Sequence, residues 1–219
     1  MKPYMTMVLG VQLLFGAGMA LGAPSSLVAF TPETRSLIAS GDPARGKDKA
    51  AGCVACHGAQ GIAENAEFPS LAGQRADYLY KQLRDYKDDK RVNPLMTAFA
   101  GPLSDEDMAD IAAWYASQPL PPAKPADGDP GAATTLVRRG DGARLIPACA
   151  ACHASNGEGQ AVAVPALAGQ NATHFAQTLQ AYKSGTRAND VYSVMRNIAR
   201  ALSKEEIVQL AKYYASLGK

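Results

Sequence analysis

The sequence predicts an all-α chain, two tandem helical domains joined by a Pro-rich linker. Three observations carry that prediction: a block of motifs that recurs at an offset of 96 residues, helix-start signals at matching places in both copies, and no period-2 alternation of the kind a strand needs. The 219 residues are 47% hydrophobic and 19% charged, which fits one large or two small globular domains and excludes a disordered or collagen-like chain. Lys and Arg total 22 against 20 acids, so there is no polybasic field to hold a phosphate backbone and no nucleic-acid partner is expected. Four cysteines are too few for a disulfide scaffold.

Residues 1–23 read as an export signal. Lys2 precedes an apolar run from Val8 to Leu21 that ends in Gly18, Ala20, Gly22 and Ala23, is broken by Gln12, and falls short of the ~20 residues that span a bilayer. Ala20-Leu21-Gly22 satisfies the small-x-small cleavage pattern, whereas a cut after Ala23 places Leu21 three positions back; an uncleaved anchor is the alternative. Residues 24–41 form an N-terminal extension with no role assigned from sequence. The first domain is expected over 42–118, the linker over 119–131 and the second domain over 132–219.

Within the first domain, Asp42-Pro43 is an N-cap followed by proline at the first helical position, opening a helix that leads to Cys53. Leu79, Leu83 and Tyr86 recur at helical spacing, as do Phe175, Leu179 and Tyr182 in the copy, where Asn171 is placed to cap. Ser104-x-x-Asp107 and Ser203-x-x-Glu206 open the last helix of each unit, the second as a full capping box. Behind them run the apolar stripes Met108, Ile111, Ala112, Tyr115 and Ile207, Leu210, Ala211, Tyr214. Between the units, Pro119, Pro121, Pro122, Pro125 and Pro130 predict an extended, semi-rigid connection that holds the domains at a fixed separation.

The repeat is detailed. Cys53-Val-Ala-Cys56-His57 returns as Cys149-Ala-Ala-Cys152-His153, Pro69-Ser-Leu-Ala-Gly-Gln74 as Pro165-Ala-Leu-Ala-Gly-Gln170, and Tyr86 and Arg91 as Tyr182 and Arg187. Three extra residues then shift the offset to 99, which maps Met96 onto Met195 and Trp114-Tyr115 onto Tyr213-Tyr214.

Cys-x-x-Cys-His is the attachment signal for c-type haem: two thiols one helical turn apart reach the two vinyl groups, and the next histidine is carried under the iron. The other readings are a redox dithiol and a zinc site. A dithiol of the thioredoxin kind needs a neighbouring strand–helix pattern, and zinc needs four ligands where each unit has one Cys-x-x-Cys arm. Two covalent haem c groups are therefore expected, on Cys53 and Cys56 with His57, and on Cys149 and Cys152 with His153. Beyond the signal only Met96, Met108 and Met195 remain. Met96 and Met195 lie 39 and 42 residues past their histidines and read as sixth iron ligands, whereas Met108 aligns with Ile207 on a helix face and reads as core. A porphyrin also supplies the apolar centre that so small a helical unit lacks, and the tyrosines and Trp114 read as packing around it.

These motifs, with Pro69 and Pro165 each twelve residues beyond the histidine and the Leu-Ala-Gly-Gln runs, resemble dihaem cytochrome c4 over residues 42–218. The resemblance implies two class I cytochrome c domains, each wrapped around one covalent haem, and a periplasmic location with a loose membrane association allowed. It implies that the Pro69 and Pro165 carbonyls accept the N–H of His57 and His153. It also implies a quinol-oxidising complex or periplasmic dehydrogenase as electron donor and a terminal oxidase as acceptor.

Iron held by histidine and methionine has no open position for substrate, so one electron per haem and no catalysis are expected. The alternatives are the dihaem electron-accepting subunit of a larger dehydrogenase, such as a flavocytochrome sulfide dehydrogenase, and a dihaem redox enzyme. A peroxidase would need an accessible sixth site and a thiosulfate-oxidising enzyme an unusual ligand such as a spare cysteine. His174, the one histidine outside the motifs, aligns with Tyr78 and reads as a surface or partly packed side chain. Arg196 and Arg200 are candidates for the haem propionates or a partner. Residues 24–121 carry 10 basic and 13 acidic side chains and residues 122–219 carry 11 and 7, a polarity able to steer docking.

Overall fold

A computed structural model describes residues 25–124 and 131–218; the expected export signal lies outside them. The helices are α1 (Pro32–Ala39), α2 (Pro43–Lys49), α3 (Val54–His57), α4 (Ala76–Lys87), α5 (Pro94–Ala100) and α6 (Asp105–Ala116), followed by α7 (Gly131–Arg139), α8 (Cys149–His153), α9 (Ala172–Ser184), α10 (Val194–Ala201) and α11 (Lys204–Ala215). Two isolated bridges are the only β pairing among the described residues. None of these helices is long and apolar enough to cross a membrane.

Local chemistry sets the helix starts. Asp42 Oδ1 accepts from the Ala44 and Arg45 amides at 2.7 and 3.3 Å, which satisfies two of the donors a helix N-terminus leaves free. Ser104 and Ser203 both sit in complete capping boxes, so Asp107 reciprocates as Glu206 does, more than the sequence reading credited to the first unit. The expected stripes face inward: Met108, Ile111, Ala112 and Tyr115 are at most 4% exposed and form one core with Leu79 and Tyr80. Ile207, Leu210, Ala211 and Tyr214 form the other with Phe175, Leu179, Tyr182, Leu136 and Val137.

The N-terminal extension is part of the first domain. Thr31 caps α1, Ile38 is buried, and Val28, Phe30 and Leu37 pack on the same core, while Ser26 Oγ donates to the buried Asp85 carboxylate at 2.5 Å.

The domains touch, which differs from the expected fixed separation. Gln74 receives the Ala166 amide on Oε1 (2.8 Å) and donates from Nε2 to the Ala166 carbonyl (2.9 Å). Gln170 does the same to Ser70, at 2.9 and 3.0 Å. Off this pseudo-twofold pair the contact is asymmetric. Helix α4 brings Tyr78, Lys81, Gln82 and Asp85 against Arg187 and Asn189: Arg187 donates to the Tyr78 hydroxyl and Gln82 Oε1 (both 3.0 Å), Asn189 Nδ2 to Asp85 (2.7 Å), and Lys81 to Asp85 and the Asn189 carbonyl. Asn171 stands at the N-cap position of α9 but does not cap it. Its amide instead donates to Phe68 O at 2.8 Å in the first domain, because interdomain carbonyls compete for it. The described start of the linker lies on the second domain, with the Lys124 amide on Ala215 O at 3.0 Å. Pro119–Pro122 thus follow a surface instead of spacing the domains apart, since packing and hydrogen bonds outweigh the stiffness of a short Pro-rich segment.

In the first domain α2 crosses α6 at Gly46, where an added Cβ would lie 1.9 Å from Asp110 O and 2.9 Å from Trp114 Cβ. Gly46→Ala should therefore destabilise the protein by about 1–3 kcal/mol through overpacking. Gly142→Ala, at a position with nothing within 4 Å, should stay within about 0.5 kcal/mol of the parent in urea unfolding.

Candidate haem sites

Each Cys-x-x-Cys-His segment is helical, so its two thiols stand one turn apart. In the first domain the 3-10 turn Ala50–Cys53 runs into α3, and α8 covers all five residues in the second. None of the four cysteines is tied up in a disulfide. The chain then doubles back: the amides of Leu71 and Ala72 both donate to Gly61 O, and those of Leu167 and Ala168 to Gly157 O. Gly61 (φ 82°) is required there, because a Cβ would lie 2.6 Å from the Tyr115 ring. This return places Pro69 O 2.9 Å from His57 Nδ1 and Pro165 O 3.0 Å from His153 Nδ1.

A carbonyl can only accept, so Nδ1 carries the proton in both rings and Nε2 is left with a free lone pair. Both imidazoles are 7% exposed, and burial pushes their pKa below the usual range against the opposite pull of the proline carbonyls. Each is a neutral imidazole at neutral pH.

Met96 lies in the first turn of α5, where Asn93 caps with its Oδ1 on the Met96 amide at 3.0 Å. A side chain at Gly52 would touch the Phe99 ring of α5 at 3.6 Å, so α5 leans on the segment that carries Cys53. Met195 opens α10 and packs on the same core as Cys149. The three extra residues of the second copy enter between Arg187 and Met195, a stretch that includes the turn Val191–Ser193, where Tyr192 and Ser193 adopt positive φ. Met108 is fully buried in α6, as core.

The residues present fit covalent haem. Beside Cys53 and Cys149 lie the Tyr115 and Tyr214 hydroxyls, buried with no hydrogen-bond partner of good geometry among the described residues and with their ionisation pushed up by burial. Arg91 lies over the Tyr86 ring at 4.7 Å and Arg187 over Tyr182 at 4.6 Å, both donating to Gln82 Oε1. Neither meets a carboxylate within ion-pair distance among the described residues, an arrangement suited to an acidic group supplied from outside the chain. The sequence offered Arg196 and Arg200 for the propionates or for a partner, and did not single out Arg91 and Arg187. Arg196 is engaged within its own domain, with Nε on Asp190 at 2.6 Å, and Arg200 is exposed. The signal available for this pair was the repeat itself, which superposes Arg91 on Arg187.

The family model for cytochrome c matches residues 43–118 and again 140–218. Cytochrome c4 of Pseudomonas aeruginosa is 43% identical over 82% of this chain and 90% of its own length. The chain belongs to the dihaem cytochrome c4 family. The crystal structure of reduced recombinant cytochrome c4 from Pseudomonas stutzeri superposes with a TM-score of 0.75 at 38% identity, covering 81% of this chain and 99% of that one. A thiosulfate dehydrogenase electron acceptor of Stutzerimonas stutzeri is 40% identical over 76% of this chain and 79% of its own length. As a cytochrome c4 the chain binds two covalent haem c groups, one per domain.

His174 helps to close the contact between the domains from the second domain. It is half-buried in α9, its amide on Ala66 O (3.1 Å) and its Nδ1 on Glu67 O (3.2 Å). Burial above all, then the charges of Arg91 and Arg187, pull its pKa down to about 3. The folded protein therefore keeps it neutral while the unfolded chain takes up a proton below about pH 6.5, so stability falls as pH drops from there toward 3. His174→Gln should remove that part of the loss, read as a smaller difference in urea midpoint between about pH 7 and pH 4.5.

Proposed function

We propose that the protein is a periplasmic electron carrier that passes one electron per haem between a respiratory donor and an acceptor. The observation that carries this reading is the pair of neutral histidines whose Nδ1 is committed to Pro69 or Pro165, leaving Nε2 as the single ring donor. In this reading Cys53 and Cys56, and Cys149 and Cys152, tether the macrocycles. His57 with Met96 and His153 with Met195 would hold the iron of each haem, and Arg91 and Arg187 would meet the acidic groups of the porphyrins. When bound, haem iron supplies reversible one-electron chemistry. The protein's part would be to hold the histidine and methionine donors in place through the change of charge, so that little reorganises, and to keep water and substrate off the metal.

Methionine sulfur favours the ferrous state over a second imidazole, which suits an acceptor at the oxidising end of a respiratory chain, such as a terminal oxidase. The donor is a quinol-oxidising complex or a periplasmic dehydrogenase. The second choice is favoured by the relative in Stutzerimonas stutzeri described as a thiosulfate dehydrogenase electron acceptor. The surplus of acid in residues 24–121 and of base in residues 122–219 supports encounters that depend on ionic strength.

Met96→His should lower the midpoint potential of the first haem with covalent attachment intact, seen in a spectroscopic redox titration; an unchanged midpoint removes Met96 as ligand. Met195→Ala should open the second iron to carbon monoxide, and a variant that fails to bind it defeats that assignment. Purified protein that stays colourless in alkaline pyridine would defeat the whole reading.

A further inference from the structure

The two interdomain glutamines do more than join the domains, because of where their partners lie. The Pro69 carbonyl that accepts from His57 and the Ser70 N–H that donates to Gln170 Oε1 belong to one peptide group, with contacts of 2.9 Å on each side. In the other domain the Pro165 carbonyl accepts from His153 at 3.0 Å and the Ala166 N–H of that same peptide donates to Gln74 Oε1 at 2.8 Å. The histidine and the glutamine on each peptide come from different domains.

A peptide group is a resonance hybrid, so a hydrogen bond accepted from its N–H draws the nitrogen lone pair toward the carbonyl and makes the oxygen a stronger acceptor. Ser70, Ala166 and Gln74 are buried, at 4, 5 and 6% exposure, which keeps water from replacing either bond. The second arm of each glutamine, Nε2 to the Ser70 or Ala166 carbonyl at 3.0 or 2.9 Å, holds the amide plane so that Oε1 stays on the N–H.

We propose that Gln170 and Gln74 are crossed positioning residues, each strengthening the hydrogen bond that orients the histidine of the opposite domain. The inference rests on the reading of His57 and His153 as iron ligands. Its consequence is directional: a firmer Nδ1–H···O bond makes the imidazole more electron-rich, which favours ferric iron and lowers the potential. Gln170 thus tunes the first haem from the second domain, and Gln74 tunes the second haem from the first. The same two bonds tell each site whether the other domain is docked.

The test uses the reduced, diamagnetic holoprotein with 15N-labelled histidine. Two haems per chain and a methionine-ligated spectrum in the parent establish the underlying reading independently of any glutamine variant. Gln170→Leu should then speed solvent exchange of the His57 Nδ1 proton several-fold and raise the midpoint of the first haem, with His153 unchanged. Gln74→Leu should do the converse. If either leucine variant fails to fold, Gln170→Met and Gln74→Met, which remove the acceptor oxygen at nearly the same side-chain length, carry the same comparison, the response again confined to the opposite histidine. A response in the histidine of the mutated domain itself, an equal response in both, or none in either overturns the proposal. General loosening of the interface would move both histidines whichever glutamine was changed.

Discussion

The two sites depend on one constraint, a buried histidine whose Nδ1 proton is held by a backbone carbonyl twelve residues on. An imidazole has two nitrogens, and a ligand site needs only one of them free. Committing Nδ1 fixes the tautomer and the ring plane together, and burial removes the protonated form that could not bind a metal. The loop from Gly58 to Ala72, and its copy, folds back to deliver that carbonyl. Its own anchor is the doubled acceptance at Gly61 O and Gly157 O. The helices behind it, α6 and α11, present Tyr115 and Tyr214 against those turns and so tie the loop to the core.

Between the domains the structure uses hydrogen bonds where a larger oligomer interface would use apolar area. Gln74, Lys81, Gln82, Asp85, Asn171, Arg187 and Asn189 are all buried and all partnered, and most of the partners lie across the boundary. Polar groups in low dielectric are costly when unpaired, so this boundary tolerates few alternative orientations. That specificity suits a molecule whose two halves must keep their redox centres in fixed relation. The charge of the ion pair between Lys81 and Asp85 is neutralised within α4 itself, and Ser26 of the N-terminal extension closes the remaining face of Asp85.

The duplication is therefore not a plain doubling. The glutamine clamps keep the pseudo-twofold relation, while α4 and the 187–190 segment break it: Lys81 and Asp85 correspond to Gln177 and Ala181 in the copy. The electrostatic asymmetry of the two halves follows the same division and gives a partner two chemically distinct ends to choose between.

What the sequence determined by itself was everything local or repeated. Helix starts depend on a capping side chain and its near neighbours, so Asp42, Ser104 and Ser203 were legible, as were the inward stripes of α6 and α11, since helical periodicity alone decides which face is apolar. The haem motif was legible because its chemistry lies within five residues, and repetition set Met96 and Met195 apart as matched positions where composition alone would not. Only the tertiary structure decided what Asn171, Arg91, Arg187, Gln74 and Gln170 do, and gave residues 25–40 their place on the core. Each of these side chains has partners about 90 to 110 positions away, or in the case of the two arginines shares Gln82 across the domain boundary. A long-range hydrogen bond leaves no periodic mark in a chain, and it forms only once packing has excluded the water that would otherwise satisfy both groups.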